Sequence, residues 1–128
     1  MIRPQYHGRY TPDGFLVWDV RKLLELAADL PVIEIELDAI AEFDENWWYQ
    51  SANDVPTCRS IADHFKMMRA VDIKFPILLC ADGRLMDGMH RVMKAYCDGR
   101  TTISARRFDV TPPPHHVNVD LGDLSYDE

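Results

Sequence analysis

From Phe75 to Cys80 every residue is apolar, and the run stops just before Asp82-Gly83, a tight-turn pair. A short, continuously apolar run of this kind reads as a strand buried on both faces, so it belongs at the centre of whatever the chain folds into. Leu85-Met86 resumes the strand direction, and Asp87-Gly88 breaks it. From Met89 to Cys97 a helix follows, with Val92, Met93 and Tyr96 at core spacing and Gly99 as its terminator.

The remaining elements arrange themselves around this unit. Thr11-Pro12-Asp13-Gly14 is a turn signature, so residues 1–14 read as an N-terminal arm or extended lead-in. Asp19 caps a helix reaching about Leu30, with Val20, Leu23, Leu24 and Ala27 on one stripe and Pro31 as its stop. Val32 to Asp38 alternates, Ile33, Ile35 and Leu37 against Glu34, Glu36 and Asp38, which is a half-buried strand. Ala39 to Phe43 forms one helical turn capped by Asp38, and 44–56 is an aperiodic loop carrying Trp47, Trp48 and Tyr49. Thr57 caps a further helix whose inner face is Ile61, Phe65 and Met68. Thr101 to Phe108 is a last strand, and 109–128 is an acidic, proline-rich tail that is loosely held or draped over the surface. The expected fold is therefore a single α+β domain, 1–128, with a small mixed sheet and packed helices.

A chain of 128 residues is long enough to bury a core without disulfides or metal staples. Cys58, Cys80 and Cys97 are scattered and odd in number, which points to reduced thiols in a cytoplasm. The start, Met1-Ile2-Arg3-Pro4-Gln5-Tyr6, has no apolar signal core, and no run approaches the roughly 18 apolar residues that cross a bilayer. The expected location is cytoplasmic, with no membrane partner. A net charge of -7 argues against a nucleic-acid partner, since such binders gain affinity by neutralising phosphates. Any anion site is then a pocket and not a broad surface.

One segment concentrates chemistry: Asp87-Gly88-Met89-His90-Arg91-Val92-Met93-Lys94. A strand that turns at glycine into a helix leaves first-turn amides without intrahelical partners, and the positive end of the helix dipole adds to their pull on an anion. Gly88 lets a phosphate approach the backbone closely. His90 and Lys94 share a face with Arg91 beside them; Arg91 supplies a planar fork and Lys94 a point charge. Asp87 is placed to hold Mg²⁺ against phosphates or to orient a nucleophile. The competing reading is an ordinary turn with Arg91 and Lys94 solvated.

The run Pro76-Ile77-Leu78-Leu79, then Asp82-Gly83-Arg84-Leu85-Met86-Asp87-Gly88-Met89-His90-Arg91, then Ala95 and Gly99, resembles the ParB/sulfiredoxin superfamily. The resemblance covers roughly residues 32–108, and its most specific part is five residues long. It implies a nucleotide-phosphate cradle, for ATP in sulfiredoxins and CTP in ParB proteins, made here by Gly88, His90 and Arg91; the segment's own chemistry adds Met89 and Lys94 to the expected phosphate site. Sulfiredoxins place their catalytic cysteine where this chain has Met89, and a thioether cannot act as that nucleophile. The helix-turn-helix region with which ParB binds DNA has no room here.

A third branch, the free-serine kinases, carries Asp-Gly-His-His-Arg at this turn, and Asp87-Gly88-Met89-His90-Arg91 is similar to it. Ile35-Glu36-Leu37-Asp38 is similar to a strand that this branch follows with a catalytic glutamate, whose counterpart here is Glu45, with Asp44 in reserve. The resemblance implies an ATP- and Mg²⁺-dependent phosphotransferase acting on a small hydroxyl-bearing metabolite, with Glu45, Asp44 and Asp87 as catalytic carboxylates. The alternative is a non-catalytic nucleotide-sensing or partner-binding module, and behind it a ParB-like nuclease, against which the acidic charge counts. Trp47, Trp48 and Tyr49 either stack a base or pack a loop onto the core. His64 reads as a core-edge or capping residue and not as a ligand. His115-His116 lacks a third metal ligand, and of Arg106 and Arg107, on opposite faces of the last strand, one reaches the anion pocket and the other water.

Overall fold

The computed structural model describes residues 6–124; the first five residues of the expected arm and the last four of the tail lie outside that range. The described residues form an α+β fold of seven strands and three α-helices in two sheets. The apolar run does become the buried strand β4 (Ile77–Leu79), which pairs antiparallel with β5 (Leu85–Asp87) and parallel with β6 (Thr102–Arg107). β3 (Ile33–Glu36) adds antiparallel to the far side of β6, so this mixed sheet runs β3-β6-β4-β5.

Alternation explains why every residue of β4 is apolar. Ile77 and Leu79 face a core built with Leu85, Val92, Ala95 and Ile103, beneath α3 (Met89–Cys97). Leu78 and Cys80 face the opposite way, into a second cluster with Leu23 and Ala27 of α1 (Val20–Ala27) and with Trp18, Met86 and Phe108. Asp19 caps α1 by accepting from the Arg21 amide at 3.0 Å, and Thr57 caps α2 (Cys58–Ala70) by accepting from the Ser60 amide at 3.1 Å. Gly99 (φ +80°) ends α3, with the Arg100 amide reaching back to the Ala95 carbonyl at 2.9 Å.

Several expectations need correction. Residues 6–11 are no free arm but strand β1 (Tyr6–Thr11), paired residue for residue with β2 (Gly14–Asp19) across the Pro12-Asp13 turn. The tail is tied down too. β7 (His116–Val117) pairs with β2, Trp18 Nε1 donates to the Pro112 carbonyl at 2.8 Å, and the Asp19 amide donates to His115 Nδ1 at 2.9 Å. There are thus two sheets where one was expected, the second being antiparallel β1-β2-β7. The single turn placed at 39–43 is two 3-10 turns, Leu37–Ala39 and Ala41–Asp44, and Asp38 caps neither. Ile61, Phe65 and Tyr96, taken for core residues, are 53%, 51% and 63% exposed. α2 buries Met68, as its spacing predicts, and His64 in place of Ile61 and Phe65. Cys58, Cys80 and Cys97 are unpaired, and no helix of the described residues is long and apolar enough to cross a membrane.

Candidate functional site

The β5–α3 junction lies where the sequence placed it. Gly88 is the N-cap of α3 at φ +115°, a conformation that side chains disfavour. A Cβ there would also sit 2.5 Å from Ile77 Cγ2 and 3.0 Å from Arg91 Nη2, so the space beside this glycine is filled from within the protein. The Gly88 carbonyl accepts from the amides of Arg91 and Val92 at 3.0 Å each. Of the first-turn donors this leaves, at most, the amides of Met89 and His90 for a ligand.

The two expected phosphate cations are already engaged. Arg91 donates from Nη2 to Asp87 Oδ2 at 2.7 Å, and from Nη1 to the carbonyls of Phe75 and Pro76 at 2.9 and 2.7 Å. The fork therefore clamps the entry of β4 to the start of α3. Burial pushes the Asp87 carboxyl above its ordinary range, against the pull of Arg91. Lys94 donates to the Val71 and Arg69 carbonyls at 2.8 and 3.4 Å, closing the last turn of α2, where carbonyls lack partners.

His90 is buried and meets a partner that the sequence ranked as a core-edge residue: His64 Nδ1 lies 3.0 Å from His90 Nε2. The two rings lie at 26° to each other, and Trp48 stacks on both, 3.7 Å from the His64 centroid and 4.8 Å from that of His90. Burial, and then His64, holds the His90 imidazole down to about 4, and burial lowers His64 as well, so the pair is neutral near pH 7 with one nitrogen donating and the other accepting. A third imidazole, His7 of β1, stacks between Trp18 and Trp47 and is held down to about 3 by burial, then by Arg9 and Arg84.

The aromatic segment is ordered by its own polar groups. Asn46 accepts from the Tyr49 amide at 3.0 Å and donates to the Tyr49 carbonyl at 2.8 Å, while Tyr49 Oη and Ser60 Oγ are 3.0 Å apart. Between this loop, α2, β1 and the start of α3 lies a cleft of about 590 Å³, lined among others by Trp47, Trp48, Tyr49, His64, Gly88 and His90. Met89, Asp87 and Arg91 also line it. Histidines 7 and 64 were the residues missed. The alternation of aromatic and imidazole side chains was visible as residue types, but their meeting depends on long-range contacts.

Asp44 and Glu45 stand apart from this cleft. Glu45 is half exposed and pairs with Arg84 Nη2 at 3.4 Å. The buried carboxylate of that segment is Glu42, whose Oε1 accepts from the Leu85 amide at 2.8 Å at the edge strand β5; its Oε2 lies 3.1 Å from Arg84 Nη2 in an ion contact without hydrogen-bond alignment. For Mg²⁺ the cleft offers Asp54 and Asp87, and one oxygen of Asp87 is committed to Arg91. Among the described residues no three His, Cys, Asp or Glu side chains converge on a metal position. These donors do not make a resident Mg²⁺ site.

No family model, no curated protein and no solved structure matches the chain.

Proposed function

We propose that the protein is a small-molecule-binding module whose cleft takes the planar heteroaromatic ring of a nucleoside or nucleotide, without phosphotransfer by Glu45 or Asp44. The observation that carries this reading is the cleft of about 590 Å³ walled by Trp47, Trp48, Tyr49 and the neutral His64–His90 pair, next to the first turn of α3. Its size is that of small-molecule sites, which range over roughly 300–1,000 Å³. Rings present π-faces to a base, imidazole nitrogens present a donor and an acceptor to its edge, and the remaining α3 amides favour a phosphate at one end. The likeness of Asp87-Gly88-Met89-His90-Arg91 to the ParB/sulfiredoxin turn supports a nucleotide as the ligand class. Because Arg91 and Lys94 are engaged elsewhere, ring recognition dominates and phosphates add little.

The test is calorimetric titration with adenosine, cytidine, ATP, CTP and inorganic triphosphate. At least one nucleoside should bind within about fivefold of its triphosphate, with a charge-assisted bond or less of difference. Inorganic triphosphate should not bind, and Trp48→Ala should weaken the nucleoside tenfold or more, the worth of about one base stack. Binding of inorganic triphosphate as tight as that of ATP would overturn ring recognition.

Phosphotransfer is the second reading, favoured by Asp87 alone, since it lines the same cleft beside Gly88. It requires ADP to form from ATP with Mg²⁺ and a pool of small hydroxyl metabolites. Asp87→Asn should abolish that turnover, and Glu45→Gln should leave it intact.

A further inference from the structure

We infer that the protein has a second ligand site, a cleft on the other side of the Asp87–Arg91 pair that takes a small carboxylate with an apolar tail. This cleft also measures about 590 Å³, and its apolar walls include Leu24 of α1, Phe75, Pro76 and Leu78. Leu24 is 48% and Phe75 57% exposed, so alkyl and aromatic surface faces solvent on both sides of it. Burying such surface against a hydrocarbon tail gives roughly 25 cal/mol per Å².

Charge accounting supplies the head group. The charged residues lining this cleft are Asp72, Asp87, Arg91 and Arg106. Asp87 and Arg91 neutralise each other at 2.7 Å, and Asp72 pairs with Lys74 at 3.6 Å. Arg106 alone has no carboxylate partner among the described residues. Its Nη1 donates to the Ala27 carbonyl at 3.0 Å and to that of Ala28, where α1 ends. Its Nε is buried with no hydrogen-bond partner. The end of a helix offers about half a negative charge, which leaves a cation uncompensated in an apolar cleft. A guanidinium in that setting favours a carboxylate, and the walls favour a tail.

The probes are octanoate, 1-octanol and acetate, added to the full-length protein and followed by amide chemical shifts and by calorimetry. Octanoate is expected to saturate a single site at least tenfold more tightly than 1-octanol and acetate, with shifts at Leu24, Phe75 and Arg106. Leu24→Glu, a substitution at an exposed helix position, should weaken octanoate at least tenfold without lowering stability. Arg106→Gln should also weaken octanoate at least tenfold, and should bring octanoate and 1-octanol to equal affinity. Equal affinities in the unaltered protein would overturn the carboxylate preference. Failure of octanoate to saturate, or shifts confined to Trp47 and Trp48, would overturn the site. None of these outcomes depends on whether the ring-lined cleft binds a nucleoside.

Discussion

On one side of the Asp87–Arg91 pair the protein gathers rings: Trp47, Trp48 and Tyr49 from the loop, His64 from α2, His90 from α3 and His7 from β1. On the other it gathers alkyl groups and Phe75, with Arg106 as a lone cation. The two clefts share one wall, yet the first holds imidazoles kept neutral by burial and the second holds a guanidinium that cannot lose its charge. Burial therefore acts in opposite senses on the two. A group that can shed its proton adapts to a dry environment, whereas one that cannot must find a counter-charge. The neutral imidazoles of the ring cleft need no counter-charge, whereas the Arg106 guanidinium of the apolar one lacks a carboxylate.

Loss of the shared wall should disturb both clefts most. Arg91→Ala deletes three hydrogen bonds and leaves Asp87 without its cation. We expect a loss of roughly 3–5 kcal/mol in urea denaturation, the usual cost of breaking a buried pair from one side. Asp87→Asn in the same background should restore part of it, because the orphaned charge is gone. A loss below about 1 kcal/mol would mean that Arg91 behaves as a surface cation, and then both clefts would need a different description.

Acid sharpens the contrast. The His7 imidazole titrates near 3 in the folded chain against an ordinary 6.5, so between those limits the unfolded chain binds a proton there and the folded chain does not. Its contribution is complete above about pH 6.5 and is lost progressively as pH falls toward 3. From pH 7 to 4.5 the loss should be roughly 2–3 kcal/mol for this residue. His64 and His90 act in the same direction. His7→Gln, which keeps an acceptor near Arg9 but cannot take a proton, should flatten the dependence of urea midpoints on pH. Arg106 stays charged throughout that window, so Arg106→Gln should leave the slope as it is. Parallel slopes in the His7 variant would show that this imidazole reaches water.

What the sequence disclosed follows from the range of the interactions involved. β4 was legible because burial on both faces leaves an unbroken apolar run, and the Gly88 and Gly99 boundaries of α3 were legible because turn chemistry is local. The inner face of α2 was legible only at Met68. Ile61 and Phe65 have the right spacing and the wrong side, because the helix turns toward Trp48 and Tyr49, ring partners brought in by a loop. The docking of the tail depends on pairing across about a hundred residues, which no local pattern encodes; β1, by contrast, pairs locally with β2 across the turn at Pro12-Asp13. Arg91 and Lys94 were legible as cations but not in their main-chain partners, carbonyls that carry no signature in residue type; the Asp87–Arg91 pair, four residues apart, is the one contact whose spacing stood in the sequence.

Lys94 gives the smallest effect and the cleanest separation of a cation in the fold from one in the site. Its ammonium sits on the Val71 and Arg69 carbonyls, at the end of α2. Lys94→Met keeps much of the alkyl stem and removes the charge and both bonds. Since this is a single C-terminal interaction at a partly exposed position, the loss should be about 0.5–1.5 kcal/mol. Nucleoside and nucleotide affinities should change less than twofold, because Lys94 does not line the ring cleft. If ATP binding instead falls tenfold while adenosine binding holds, the ammonium leaves α2 for the phosphates when ligand arrives. The ring cleft would then, like its neighbour, draw on a cation to complete its site.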